Sequence, residues 1–340
     1  MRYMPAEWEE HRATWLAWPH NKEHWPGMDL ERIWLTYVRI IQLLISSGEK
    51  VGVLADDALM QEQARSFLWK RDVPIDSEII QFVHIPTNSS WVRDWGPIFV
   101  RTIHGIWATD WRFNGWGGEY PPWEKDDAAP TKIAEDLKIP CLDISDICLE
   151  GGAIEVNGEG TLLTVEGCLN HKKRNPRLEK ENLEYLFRDE LGVTNVIWLP
   201  RKIASDHTGH VDNIARFVYT NVILCALEDD RRDENYEALR ENFLALERAR
   251  DAKGERLVVL PLPMPEPVYY EKERLPASYA NFYIANRAVL VPTFNCSRDE
   301  KALKLIEEFF PRRRVVGIDC RDLLWGMGTI HCSAMQQPVA

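Results

Sequence analysis

One arrangement recurs along this chain: two short apolar strands joined by a tight turn, an amphipathic helix, then another short strand. The first copy pairs 98–101 with 106–113 across His104-Gly105, followed by a helix at 131–137 and a strand at 141–144. The second pairs 153–156 with 161–165 across Asn157-Gly158-Glu159-Gly160, then runs through a helix at 178–191 and a strand at 196–199. The third pairs 214–219 with 222–227 across Thr220-Asn221, with its helix at 234–252 and strand at 257–260. The fourth pairs 282–285 with 288–292 across Asn286-Arg287, with a helix at 299–310 and a strand at 315–319. Alternating strands and 3.6-residue helical spacing carry each assignment. Hairpins recur every 55 to 70 residues or so, roughly twice a solenoid repeat, a period that suits a ring of modules.

A fifth unit is assembled from the two ends. Residues 329–334 are expected to pair with 14–18, followed by a helix at 30–46 that stops at Gly48 and a strand at 50–55. Leu30, Ile33, Tyr37, Ile41 and Leu44 share one face of that helix, as a core-facing helix requires. Pairing the termini would tie down ends that otherwise fray. With no low-complexity linker or shift in composition, residues 1–340 are expected to form a single α/β domain of five repeats.

Composition narrows the function. The longest apolar runs fall well short of the roughly 20 residues that span a bilayer, which argues against a membrane partner. The N-terminus carries acidic residues where a signal peptide needs an apolar stretch, so a cytoplasmic location is expected. Seven Cys, an odd number with no CxxC pair, fit reduced thiols better than disulfides or structural zinc. Net charge is -12, which argues against nucleic acid, since its phosphates need a basic face. The same charge would concentrate a cationic ligand, though it also serves solubility.

Unusual polar residues sit just before the hairpins. Asp94 lies in Trp91-Val92-Arg93-Asp94-Trp95-Gly96-Pro97, Glu150 in Leu149-Glu150-Gly151-Gly152, and His210 and Asp212 in Gly209-His210-Val211-Asp212-Asn213. Ser278 holds the matching position in the fourth unit, and Cys332 in the fifth. Singly, each has a structural explanation: a turn aspartate, a loop carboxylate, a satisfied core histidine, a buried thiol. In equivalent loops around an axis they would converge. His207, His210 and Asp212 also offer H-x-x-H-x-D, with His331 or Cys332 to complete a metal set, but the spacing matches no common zinc motif. No metal and no cofactor is expected. Glycine-rich phosphate loops are absent, and Trp91, Trp95 and Trp116 are candidates to line a ligand's alkyl chain.

These motifs, with Met4-Pro5-Ala6-Glu7-Trp8, Thr14-Trp15-Leu16-Ala17-Trp18-Pro19, Phe113-Asn114-Gly115-Trp116-Gly117-Gly118 and Ile330-His331-Cys332, run from end to end. The chain resembles the agmatine deiminase and bacterial-type peptidylarginine deiminase family of guanidine-modifying proteins. The resemblance implies a five-bladed, pentein-like α/β propeller with pseudo-fivefold symmetry. It implies Cys332 as nucleophile, His210 as general acid and base, Asp94 and Asp212 holding a guanidinium, and Glu150 beside His210. Two segments depart from the family pattern. Gly326-Met327-Gly328-Thr329 stands where Gly-Gly-Gly-Asn is common, and Asp206-His207-Thr208-Gly209 where Asp-Thr-Asp-Gly is.

The implied reaction is hydrolysis of a guanidinium C–N bond in a small cation. Agmatine suits the acidic chain best, giving N-carbamoylputrescine and ammonia. Arginine or peptidyl-arginine deimination, amidino transfer to an amine, and non-catalytic guanidine binding are the competing readings. A homo-oligomer is the family habit.

Overall fold

The computed structural model describes residues 2–340. Five mixed sheets of three or four strands share one plan, an antiparallel pair with a third strand added in parallel. Ile98–Thr102 and Gly105–Arg112 are antiparallel, and Cys141–Cys148 joins in parallel. Glu155–Val156, Thr161–Val165 and Asn195–Leu199 repeat the plan, as do Ala215–Tyr219, Val222–Leu227 and Val258–Pro263. Tyr283–Ile284, Ala288–Thr293 and Arg314–Asp319 form the fourth copy. The fifth draws on both ends: Met335–Pro338 pairs antiparallel with His11–Ala17, and Lys50–Ala55 follows in parallel.

A parallel neighbour needs a crossover, and one helix supplies it in each module: Ala129–Leu137, Lys180–Leu191, Tyr236–Arg248, Asp299–Phe309 and Leu30–Ser46. Leu30–Ser46 starts where Asp29 Oδ1 accepts from the backbone N–H of Glu31, and ends at Gly48, whose φ of +81° a side chain would resist. Ile33, Tyr37, Ile40, Ile41 and Leu44 on it are fully buried. Burying each such side chain contributes about 1.5–3 kcal/mol. No helix among the described residues is long and apolar enough to cross a membrane.

The structure departs from the sequence reading in five places. Residues 329–334 form no strand: 330–333 turn tightly, with the Ser333 N–H on the carbonyls of Thr329 and Ile330, and the terminal strand begins only at Met335. The second and fourth hairpins open later than expected, because Gly151–Ala153 is a turn of 3₁₀ helix and the fourth is paired only from Tyr283. The fifth sheet also gains Ile80–His84, reached through the helix Ala58–Trp69, and Arg2–Tyr3 adds a short strand to the first.

One buried carboxylate joins the modules. Glu7 Oε1 accepts from Arg216 Nη2 at 2.8 Å and from the Ile284 backbone N–H at 2.8 Å. Its Oε2 lies 2.8 Å from His331 Nε2 and 3.3 Å from Arg93 Nη2. Arg216 Nε reaches Glu155 Oε2 at 2.9 Å, bringing in the second module. Burial opposes the Glu7 charge, yet Arg216, His331 and Arg93 hold its carboxyl well below the ordinary range. Replacing Glu7 by Gln strands buried guanidinium charge and is expected to cost about 3–5 kcal/mol in urea unfolding. Because this carboxyl is depressed, its contribution is present above the unfolded glutamate range and lost as pH falls. The variant is therefore expected to show a shallower acid-side fall in stability.

Candidate active site

Each module opens on a compact turn that aims a polar side chain inward. The one-turn helix Val92–Trp95 carries Asp94, Glu150 precedes the turn Gly151–Ala153, and His210 precedes Val211–Asn213, which holds Asp212. Cys332 sits in the 330–333 turn. All five are nearly or fully buried.

Two glycines make the convergence possible. A Cβ at Gly152 would lie 2.7 Å from both Asp94 Oδ1 and His210 Nδ1 and 3.1 Å from Asp212 Oδ2, while its backbone N–H donates to Asp94 Oδ1 at 3.1 Å. A Cβ at Gly151 would lie 2.1 Å from the Arg93 carbonyl. The Glu-Gly-Gly motif thus lets these side chains close around a backbone that carries no Cβ.

His210 Nε2 lies 2.9 Å from Glu150 Oε2, and its Nδ1 lies 3.5 Å from Asp94 Oδ1. Burial disfavours the imidazolium, but Asp94, Glu150 and Asp212 outweigh it and push the His210 pKa up to about 10. Glu150 is drawn down to about 2, against its burial, chiefly by Arg174, whose Nε donates to both carboxylate oxygens at 2.6 and 2.9 Å. Asp94 moves the other way, to about 6, because burial dominates and Asp212 and Glu150 add to it despite His210. Asp212 stays low despite burial, because its Oδ2 accepts a hydrogen bond from His331 Nδ1 at 2.8 Å. The second Asp212 oxygen, Oδ1, is buried without a hydrogen-bond partner among the described residues.

The thiol feels the same charges. Burial, then Asp212 and Asp94, raise the Cys332 pKa well above the ordinary thiol range. Its Sγ lies 3.7 Å from Asp212 Oδ2 and 3.3 Å from Asn281 Nδ2. A cleft reaches Cys332, Asp94 and His210. Trp91 and Trp116 wall it, and Trp116 Nε1 donates to Asp94 Oδ2 at 2.9 Å.

Other sequence candidates fall elsewhere. Trp95 is buried with its Nε1 on Ser89 Oγ and does not reach the cleft. Ser278 caps its own turn, donating nothing to Cys332; Asn281, three residues on, takes that place and accepts from the Thr329 hydroxyl and the His331 N–H. The H-x-x-H-x-D set does not assemble, since His207 is exposed at the mouth and His331 is held between Glu7 and Asp212. Among the described residues one donor trio converges, Glu150, Cys168 and His210, but a cation there would sit beside the Arg174 guanidinium already on Glu150. Spacing gave no hint of Arg174 or Asn281, whose roles depend on contacts 24 and 51 residues away.

A cysteine, an imidazolium and three carboxylates brought together by equivalent turns define a repeat-built α/β protein with a thiol centre. The chain belongs to the Porphyromonas-type peptidyl-arginine deiminase family, whose model matches residues 3–338. It is 38% identical to an agmatine deiminase of Pseudomonas aeruginosa, over 98% of this chain and 95% of that one. Its structure is similar to the agmatine deiminase of Enterococcus faecalis, with a TM-score of 0.92 and 30% identity over 99% of this chain and 96% of the other. A Cys-to-Ser agmatine deiminase of C. jejuni with substrate bound gives a TM-score of 0.87 at 31% identity, again over 99% and 96% of the two chains.

The raised His210 pKa has a measurable consequence. The imidazolium contributes stability fully below the unfolded histidine range, and loses it as pH climbs through about 10. Glu150→Gln removes one of the charges that raise it and is expected to move the loss of protonated His210, followed by NMR titration, about 1–2 pH units toward acid. A His210 titration unmoved by that substitution would contradict the assignment.

Proposed function

We propose that this chain is an agmatine deiminase, acting as a single catalytic domain whose five modules form the blades of a pentein-like propeller. Five equivalent sheets and the pairing of the two terminal segments support the propeller. The observation that carries the reaction is the buried Asp212 carboxylate, whose Oδ2 lies 3.7 Å from the Cys332 Sγ and whose Oδ1 has no hydrogen-bond partner among the described residues. Such an oxygen is costly unless a cationic N–H donor arrives.

In this reading Asp94 and Asp212 grip the N–H edges of a guanidinium, and the aromatic faces of Trp91 and Trp116 receive its alkyl chain. The incoming cation cancels the repulsion that keeps Cys332 neutral, and the thiol proton leaves to solvent. Thiolate attacks the guanidinium carbon and forms a C–S bond. His210, resting as imidazolium, protonates one nitrogen, the C–N bond breaks, and ammonia departs from an amidino-thioether. Neutral His210 then takes a proton from water as the oxygen attacks the same carbon. Collapse breaks the C–S bond and yields a ureido product, with one proton released to solvent. Glu150, kept anionic by Arg174, holds His210 in place and stabilises its charge.

Agmatine is favoured over arginine by the acidic character of the site and by the relatives named above. Purified protein is expected to release ammonia from agmatine, and Cys332→Ala to release none. Release only from arginine or a peptidyl-arginine would keep the chemistry and replace the substrate. A folded wild-type protein that acts on none of the three would overturn the proposal.

The electrostatic coupling is tested separately. Alkylation of Cys332 by iodoacetamide is expected to be slow at neutral pH and to accelerate at least about tenfold with a saturating small guanidinium, in line with a shift of one pKa unit. An alkylation rate indifferent to guanidinium would remove substrate-assisted ionisation from the mechanism.

A further inference from the structure

The strap across the cleft mouth, Gly326-Met327-Gly328, contains a choice that backbone geometry does not explain. The short helix Arg321–Leu324 ends with the Met327 N–H on the Leu324 carbonyl at 2.8 Å, which puts Met327 at a φ of +70°. That conformation suits glycine and strains any side chain. The strap cannot shift to relax it. A Cβ at Gly326 would lie 2.7 Å from Trp25 and 2.9 Å from Trp91, and one at Gly328 would lie 2.7 Å from Trp91. Trp25 is itself pinned, its Nε1 donating to the Leu323 carbonyl at 3.1 Å and its ring 5.7 Å from that of Trp91.

Both neighbours of Met327 are therefore glycines pressed onto indole rings, while Met327 is half-buried and lines the cleft. Trp116 and Tyr120, packed edge to face at 5.5 Å, line the same cleft with Pro276 and His207. Strain of this kind persists only where the surrounding structure over-determines it, and it clusters at active sites and ligand clamps. A thioether is long, unbranched and adaptable, which fits it to close an irregular gap around a chain of methylenes.

We infer that Met327 is a specificity-determining residue that narrows the mouth to the width of an unbranched alkyl tail and excludes a guanidine whose chain branches where an amino acid or peptide begins. The inference rests on the deiminase reading above. It assigns the discrimination between a simple alkylguanidine and an arginyl group to one side chain outside the catalytic cluster.

The test compares ammonia release from agmatine and from N-acetyl-arginine amide by wild type, Met327→Ala and Met327→Gly. The first variant removes the thioether and keeps the strained backbone, whereas the second also relieves it. In both, the kcat/KM ratio of the branched over the unbranched substrate is expected to rise at least about tenfold. Met327→Gly is expected to melt about 1–3 °C above Met327→Ala, confirming that the position stays in the strained conformation. A smaller rise in Met327→Ala overturns the inference, and a rise confined to Met327→Gly overturns it by assigning the effect to backbone freedom. Wild type that acts on agmatine with an unresponsive ratio sinks the role of Met327 alone. Wild type inert toward agmatine sinks the deiminase reading and this inference with it.

Discussion

The fold is organised around a single carboxylate. Glu7 receives a guanidinium from before the first module, another from the third, a backbone N–H from the fourth and an imidazole from the fifth. Arg216 carries the connection on to Glu155 in the second. Hydrophobic burial holds each helix on its own sheet, but it is non-directional and cannot set how five similar modules register against one another. Buried ion pairs with fixed partners can, because any other arrangement leaves a charge unpaired.

That cluster reaches the candidate chemistry in one step. His331 stands between Glu7 and Asp212, so the centre of the fold and the buried cluster around Cys332 share an imidazole. Arg93, also on Glu7, donates its backbone N–H toward the Cys332 carbonyl, and the next residue is Asp94. The side chains of the cleft are therefore positioned from behind by charge and from the side by glycine. Their own charges are arranged oppositely: a depressed Glu150, a raised His210 and a raised Asp94 sit within one buried group. Such divergence marks sites where protons are moved.

Local signals were the legible ones. The helix Leu30–Ser46 and strand Lys50–Ala55 follow from an apolar face at helical spacing and the stop at Gly48. The helix Ala58–Trp69 gave no comparable signal, since it buries only Ala64, Phe67 and Leu68 while Leu59 and Trp69 face solvent. The edge strand Ile80–His84 buries one residue, too few to show alternation. At the site, Asp94, Glu150, His210, Asp212 and Cys332 were legible because each precedes a repeat's first strand. Asn281 was obscured by a fourth hairpin that pairs late, and Arg174 lies in the loop between the second hairpin and its helix, outside any regular element. Nothing along the chain encodes a partner that only the closed fold supplies.

The unpartnered oxygen of Asp212 also bears on how a turnover ends. In the proposed reaction, a site built on surplus negative charge holds a planar cation by the very feature that deimination abolishes. Once the head group is a neutral ureido, Asp94 and Asp212 in their proposed roles would lose their counter-charge, and no buried donor among the described residues is bonded to Oδ1. The affinity that gathers the reactant is thus withdrawn from the product by the reaction itself. On the proposed roles, such a site would clear without a moving part to expel its contents.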